Sequence, residues 1–588
     1  MKYILFLIII IFINLDELFS QGMIIMGGAD IKVSGSPYII IRDGGLDNFG
    51  TYSGANEELQ FIGITGDTIA GNSLDVYSLV INNTGGMVSS TDTLISYDID
   101  ILAGSFFEIS PAKFLTVVNN LTNASGTSGL VLHSDLNGSA SLISNSPGLQ
   151  ATVEHFISGN RWYILSSSTP GESISDFLSN NDSIPHAPAF RAMTYYDESS
   201  GGWAPYLTNT SPGTMDAGQA YLVRTSLDTV IYFQGNLRNT SLNDFSIPKA
   251  NRGWHSIGNP FSASLKISES ADPLNNFLTV NLAELDPEHV AVYVWDEQPG
   301  YSGKNRNDYV ALNLLSDTSY LQPGQGFMVR AKDGGGNLDF TTEMRAHHNN
   351  TVFNKKSAGQ KSKPYIKLQA YTSDSEAETR IYFTGSASEG LDPGYDAGLF
   401  GALKNLSLYT ELVEGQGSKF MIQALPISGF PDYTIPVGLE CSENTTVVFK
   451  ADQHNLPDGF MILLEDREKE TITDLKSHGS YYQVEVSSGI SGTGRFFLHT
   501  YDPRTVDLGP GIKSGINIYK ARNELIIKGD NLENSELSLF DLSGRVLINQ
   551  ILDDPFVNKI ELGQIQQGLY IVYLSSVNVK ECRKIFIE

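Results

Sequence analysis

The chain holds only two cysteines, Cys441 and Cys582, so no disulfide framework staples it; both read as isolated thiols, and stability must come from burial and strand pairing. Basic residues are scarce too: 39 Lys and Arg stand against 66 Asp and Glu, for a formal net charge of -27. Such a surface repels phosphate backbones, which argues against a nucleic-acid partner, and it favours solubility after export. After the first residues there is no apolar run long enough to cross a bilayer. The run at residues 3–13, behind Lys2, is shorter than the roughly 20 residues a spanning helix needs and reads as the core of a signal peptide over residues 1–20, with cleavage before Gln21. Catalytic signatures are missing as well: Gly-x-Ser-x-Gly, His-Glu-x-x-His, Gly-x-x-x-x-Gly-Lys and cysteine pairs at zinc spacing do not occur. Two acids brought together only by folding leave no trace in a sequence, so a carboxylate-based hydrolase stays open.

What the chain does contain is β-sequence. Gly, Ser, Thr, Asn, Tyr and Phe are abundant, a turn-dense profile that predicts an all-β, multidomain protein. Across residues 21–159 short strands such as Leu59-Gln-Phe-Ile62, Ser78-Leu-Val-Ile81 and Phe114-Leu-Thr-Val-Val118 recur about every twenty residues, the spacing of a β-solenoid. Asn82-Asn83 and Asn119-Asn120 follow apolar strands, where an inward Asn can stack in a rung corner; a β-sandwich is the competing fold.

An internal repeat comes next. Trp162-Tyr-Ile-Leu-Ser matches Trp254-His-Ser-Ile-Gly, Tyr195-Tyr-Asp197 matches Val294-Trp-Asp296, and Ala217-Gly-Gln-Ala-Tyr-Leu-Val-Arg224 matches Pro323-Gly-Gln-Gly-Phe-Met-Val-Arg330. These blocks align Trp203 with Tyr309 and predict two like β-modules, 160–245 and 246–350. In each, Gly-Gln reads as a tight turn ahead of a central strand, Gly supplying the dihedral and Gln capping a backbone group. A lysine-bearing linker at 351–363 precedes a seven-strand β-sandwich at 364–501. A second linker, 502–511, ends in Leu508-Gly-Pro-Gly511.

The last segment, 512–588, carries the most specific signal. Leu537 and Leu539 alternate with polar residues in Glu536-Leu-Ser-Leu-Phe-Asp-Leu-Ser-Gly-Arg545, followed by Gly568-Leu-Tyr570-Ile-Val572 and Lys584-Ile-Phe-Ile587. Together these motifs resemble the type A sorting domain of the type IX secretion system of Bacteroidota, with Leu537, Leu539, Asp541, Gly544, Arg545, Gly568, Tyr570 and Lys584 on the family pattern. The resemblance implies a small C-terminal β-sandwich that acts as an export signal after Sec transport. It also implies handling by the type IX machinery, removal by a surface sorting peptidase, and a cell-surface or secreted destination.

Beyond delivery, architecture without a catalytic motif points to a non-catalytic adhesin-like or glycan-binding protein; a polysaccharide hydrolase and a structural surface component are the alternatives. Trp203, Trp295 and Tyr309 are candidates for stacking on sugar rings, against a plain role in the module core. Asp67-Thr68-Ile69, Asp92-Thr93-Leu94, Asp182-Ser183-Ile184 and Asp228-Thr229-Val230 match a short O-glycosylation signal of exported Bacteroidota proteins, which singles out Thr68, Thr93, Ser183 and Thr229. Asp333-Gly-Gly-Gly-Asn337-Leu-Asp339 offers oxygen ligands suited to calcium, against an ordinary turn; no other cofactor is expected. Glu343 with His347-His348 reads as a solvated loop.

Overall fold

A computed structural model describes residues 22–296, 308–317, 320–348, 363–401, 406–415, 417–427, 433–442, 444–457, 459–476, 480–487, 489–501, 516–521, 523–529, 532–541, 545–563, 565–566, 568–575 and 580–587. The predicted signal peptide, almost all of the first linker and all of the second lie outside these residues. The chain divides into two compact units, 1–501 and 502–588.

The first unit opens with a parallel β-solenoid. Leu59 faces Leu79, Leu79 faces Ile99 and Ile99 faces Leu121 along one sheet. All four side chains are buried, so each rung adds one apolar layer to a column four rungs long. The facing sheet contributes a matching column, Leu46 against Ile69 and Phe107 against Leu130. Corners are held by buried or half-buried asparagines that bridge rungs: the Asn48 amide donates to Ser73 O (2.9 Å), Asn83 to Thr65 O (2.9 Å) and Asn123 to Gln150 O (2.8 Å). Asn83 is one of the four asparagines singled out from sequence; Asn119 instead faces solvent and donates to Asp98 (2.8 Å).

The solenoid does not end on a bare edge. Its last strand, Gln150–Ile157, pairs antiparallel with Thr229–Asn236 of the first repeat, so solenoid and repeat share a sheet.

The two repeats have the same topology. In the first, Ala220–Arg224 lies between Trp162–Ser166 and Met193–Asp197, with Gly202–Trp203 outside. In the second, Gly326–Arg330 lies between Trp254–Gly258 and Val292–Asp296, with Asp308–Leu312 outside. Trp162 pairs with Arg224 and Trp254 with Arg330, and each guanidinium stands over its partner ring at 5.9 and 6.0 Å. Even the short helices correspond: Asn181 and Asn281 each cap one, donating to Phe177 O and Phe277 O.

The Gly-Gln turns join the repeats. Gly218 and Gly324 have φ of +78° and +63°, which any side chain would strain. Their carbonyls accept from Gly258 N (3.0 Å) and Ser166 N (2.7 Å), each on the first strand of the other repeat. Gln219 donates to Ser256 O (3.3 Å), and Gln325 accepts from Gln322 N (3.0 Å).

Downstream, residues 363–501 form an 11-stranded sheet wound around one core. Phe449 and Phe496, from distant strands of that sheet, meet across the core with ring centroids 4.9 Å apart. Cys441 is buried there as a free thiol.

The second unit is a small β-sandwich: three strands in the order Asn517–Ala521, Glu524–Lys528, Val557–Glu561, facing four in the order Val546–Ile551, Glu536–Phe540, Gly568–Ser575, Lys580–Ile587. Leu537, Leu539, Tyr570 and Val572 are buried in its core.

Candidate functional site

Aromatic and charged groups meet where the second repeat packs on the 11-stranded sheet. The hairpin Val292–Asp296 and Asp308–Leu312 presents Trp295 and Tyr309, with ring centroids 5.1 Å apart. Opposite run Glu376–Thr384 and Phe420–Pro426, paired in parallel. Between them is an open depression lined by Tyr309, Ala311, Glu376, Glu378, Arg380 and Met421. Because side chains alternate along a strand, Glu376, Glu378 and Arg380 fall on one face.

The polar groups in this depression form a network. Arg380 donates to Glu378 Oε1 at 2.7 Å, and Lys367 stands 3.8 Å from the other carboxylate oxygen. Burial opposes the Arg380 charge, but the Glu378 carboxylate and the Tyr382 hydroxyl outweigh it, so its pKa rises above the usual value. Burial raises the Tyr382 phenol to about 12, against the opposing charge of Arg380. An aromatic ring beside fixed donors and acceptors suits a polyhydroxylated ligand.

A strap formed by residues 392–401 holds the two sides together. Gly394 O accepts from Leu314 N (3.0 Å), Gly398 O accepts from Tyr293 OH (2.8 Å), and Tyr395 OH donates to Glu269 (3.2 Å). Asp396, fully buried, accepts from Asp392 N and Ala424 N, both at 2.7 Å; burial pushes its carboxyl up to about 7. The strap ends with Phe400 packed on Trp254 (4.3 Å) and Tyr309 (4.2 Å).

The sequence candidates fall out as follows. Trp203, Trp295 and Tyr309 are half-buried and pack on one apolar cluster spanning both repeats and the third sheet, and of the three only Tyr309 lines the depression. Thr68 and Ser183 are exposed and Thr93 and Thr229 half-buried, while the residues that follow the first three, Ile69, Leu94 and Ile184, are buried. In the turn at 333–339, Asp333 pairs with Lys249 (2.5 Å) and Asp339 accepts from Asp244 N (3.0 Å), so their oxygens serve different partners.

His347 departs from the expected solvated loop. Its ring nitrogens meet Thr116 and Ser141 hydroxyls, both at 2.8 Å, and it stacks on Phe114 at 4.9 Å, clamping the end of the second repeat onto the solenoid. Burial lowers its pKa to about 4. No local pattern announces this contact, because its partners lie more than two hundred positions upstream.

Sequence reasoning also missed Asp286, Glu288 and His289, whose candidate ligand atoms lie within 4.8 Å of one another. Asp286 already has Lys249 and Arg330 at 3.6 Å, and Arg330 touches His289 at 2.9 Å. A further cation would face both, so this is an ion-pair network joining repeat strands. Its only sequence signal is the compact Asp-Pro-Glu-His run.

In the sorting unit, Arg545 pairs with Asp541: Arg545 N donates to Asp541 Oδ1 (3.0 Å) and Arg545 Nε to Oδ2 (3.1 Å). Tyr570 OH donates to Gln566 O at 2.6 Å. Gly568 begins a strand paired with Lys580–Ile587; Gly544 and the side chains of Cys582 and Lys584 lie outside the described ones.

No curated protein matches this chain. Among solved structures, a chain titled "Biofilm associated protein - BSP domain" aligns over 74% of this chain and 92% of its own, at 9% identity and a TM-score of 0.13. Residues 521–588 match the family described as "Secretion system C-terminal sorting domain". The protein is therefore type IX cargo, exported to the cell surface or secreted, and no described helix is long and apolar enough to cross a membrane. Residues 73–499, most of the chain, match the family described as "Domain of unknown function (DUF8693)", and the chain belongs to that family.

Proposed function

We propose that the exported part of this protein binds carbohydrate without cleaving it, in the manner of an adhesin, through the depression between the second repeat and the 11-stranded sheet. The observation that carries this reading is the placement of Tyr309 beside Glu376, Glu378 and Arg380 in one open site. The ring offers a stacking surface and the charged groups offer directional hydrogen bonds to hydroxyls. Arg380 is fixed by Glu378, so both are pre-organised before a ligand arrives.

The test is a glycan array on the full chain, run in parallel with reducing-sugar release. Binding without release, weakened about tenfold or more by Tyr309→Ala, is the expected result. Sugar release would replace this reading with a hydrolase, and silence in both assays would leave a structural surface role.

We also propose that Thr68, Thr93, Ser183 and Thr229 carry O-linked sugar. Thr68 and Ser183 are exposed and Thr93 is half-buried, and at all three the next side chain enters the core. Native-host protein with the intact mass of the bare polypeptide would remove this proposal.

A further inference from the structure

The two sides of the sorting sandwich are unlike. On one side Asn517–Ala521 lies against Lys580–Ile587, and Arg583 donates to Ile516 O at 2.7 Å. The strand there reads Lys-Glu-Cys-Arg-Lys over its first five residues, the dense charge with which natural proteins guard a sheet edge. On the other side both sheets end on strands adjacent in sequence, Val546–Ile551 and Val557–Glu561.

Val557–Glu561 carries exposed Lys559 and Glu561, but its neighbour Val546–Ile551 has no such guard. Val546–Ile551 reads Val-Leu-Ile-Asn-Gln-Ile, with no charge and no proline, and its outer edge pairs with no other described strand. Val546, Ile551, Phe556 and Val557 are 49, 59, 60 and 39% exposed, and they are all the large apolar side chains exposed among the described residues of this unit. An unprotected strand edge flanked by an apolar patch is what strand addition requires: main-chain hydrogen bonds supply affinity and side-chain contacts supply specificity. The unit also has an obligatory partner, since a sorting domain of this family is read by the export machinery.

We propose that the edge strand Val546–Ile551, with Phe556 and Val557, is the surface on which the export machinery docks, through an extended apolar segment that adds to the sheet as a fifth strand. The proposal rests on the assignment of residues 521–588 as a sorting domain. Alternate residues of the added strand engage the outward backbone groups of Val546–Ile551, while Ile551 and Phe556 are withdrawn from water.

The experiment uses the full chain in a host with type IX secretion. Ile551→Glu combined with Phe556→Glu places charge on the patch at two exposed positions, so the core of the sandwich is untouched. Asn517→Glu, exposed on the guarded side, is the control, and a chain truncated after residue 511 tests the assignment itself. The double variant is expected to accumulate in the periplasm, with surface delivery reduced at least about tenfold, while the Asn517 variant is delivered normally. Thermal unfolding of the purified double variant is expected to match the parent chain.

Normal delivery of the double variant, with the truncated chain retained, would overturn the docking surface and leave the sorting assignment standing. Normal delivery of the truncated chain would overturn both. A parent chain that self-associates, a double variant that does not, and unchanged delivery would assign this edge to a second copy of the chain and overturn the proposal. If the double variant unfolds early, the milder pair Ile551→Thr and Phe556→Thr decides by the same delivery measurement.

Discussion

Phe400 lies against Tyr309, ring centroids 4.2 Å apart, so the strap that binds the second repeat to the 11-stranded sheet also covers part of the ring proposed to meet sugar. Phe400→Ala is expected to lower stability by about 2 kcal/mol, because Phe400 is only half-buried and packs on Trp254 as well. It is also expected to tighten glycan binding several-fold, since the ligand no longer displaces an aromatic contact worth about 1 kcal/mol. Calorimetric titration decides between two roles for Phe400: weaker binding in the variant would make it part of the ligand platform and not a cover.

That relationship marks where the sequence stops being legible. The solenoid, the repeat and the sorting sandwich could be read because each rests on a local, periodic pattern. Leu59, Leu79 and Ile99 recur at rung spacing, and the Gly-Gln turns precede strands ending on Arg224 and Arg330. The alignment of Trp203 with Tyr309 followed from those blocks, and both residues do occupy the outer strand of their sheet. The candidate site is different. Tyr309, Glu378 and Phe400 meet through the packing of separate elements, and nothing in the spacing of those residues announces it. The same holds for His347 on Thr116 and for Glu198 beneath Gly253. Long-range polar contacts select one arrangement of modules, yet they require only single residues, which carry no period.

Asp466 and Arg495 set the acid limit of the 11-stranded sheet. Asp466 is fully buried and receives two bonds from Arg495, at 2.9 and 2.8 Å, with a third from Tyr482 OH at 2.8 Å. Burial opposes ionisation, but these donors and the Lys469 amide outweigh it and hold the carboxyl below its usual range. A depressed folded value means that the contribution is complete above the unfolded value of about 4 and is lost as pH falls through the folded one. Asp466→Asn is expected to cost about 3 kcal/mol at neutral pH, because it removes the buried carboxylate of Arg495 and leaves only the exposed Glu468 as its counter-charge. The gap between variant and parent, measured by denaturant unfolding, should narrow below about pH 4. A gap that stays constant into strong acid would show that shape, not charge, is what Asn fails to supply.

His133 works at the opposite end of the scale. Its two nitrogens meet Glu108 at 2.9 Å and Glu154 at 3.0 Å, tying three neighbouring strands of the solenoid. Hydrogen bonds to Glu108 and then Glu154 raise the imidazole to about 10 despite partial burial. A raised folded value gives stability that is fully present below the unfolded pKa of about 6.5 and disappears as pH climbs toward 10. His133→Gln is expected to melt below the parent at pH 6 and together with it above pH 10.5 or so. Equal melting at pH 6 would mean that the bridge contributes nothing net.

Glu198 joins the repeats from within. It is 7% exposed, and its carboxylate accepts from Ala250 N (2.8 Å), Asn251 N (2.7 Å) and Gly253 N (2.7 Å), the segment that leads into Trp254. Burial raises the pKa of such a group, yet the three amides more than offset it and hold Glu198 below the ordinary value. Three donors converging on two oxygens also explain why an amide cannot substitute: the Gln nitrogen is a donor and would face another donor. Glu198→Gln is therefore expected to lose about 2–4 kcal/mol, and Glu198→Asp to lose a similar amount because its shorter stem does not reach all three amides. The loss should appear in the unfolding of the whole first unit as one cooperative step, since the second repeat is hydrogen-bonded to the first through Gly218 and Gly324 and to the sheet beyond through the strap. Separate early melting of one repeat in the Gln variant would show instead that Glu198 orders only its own loop.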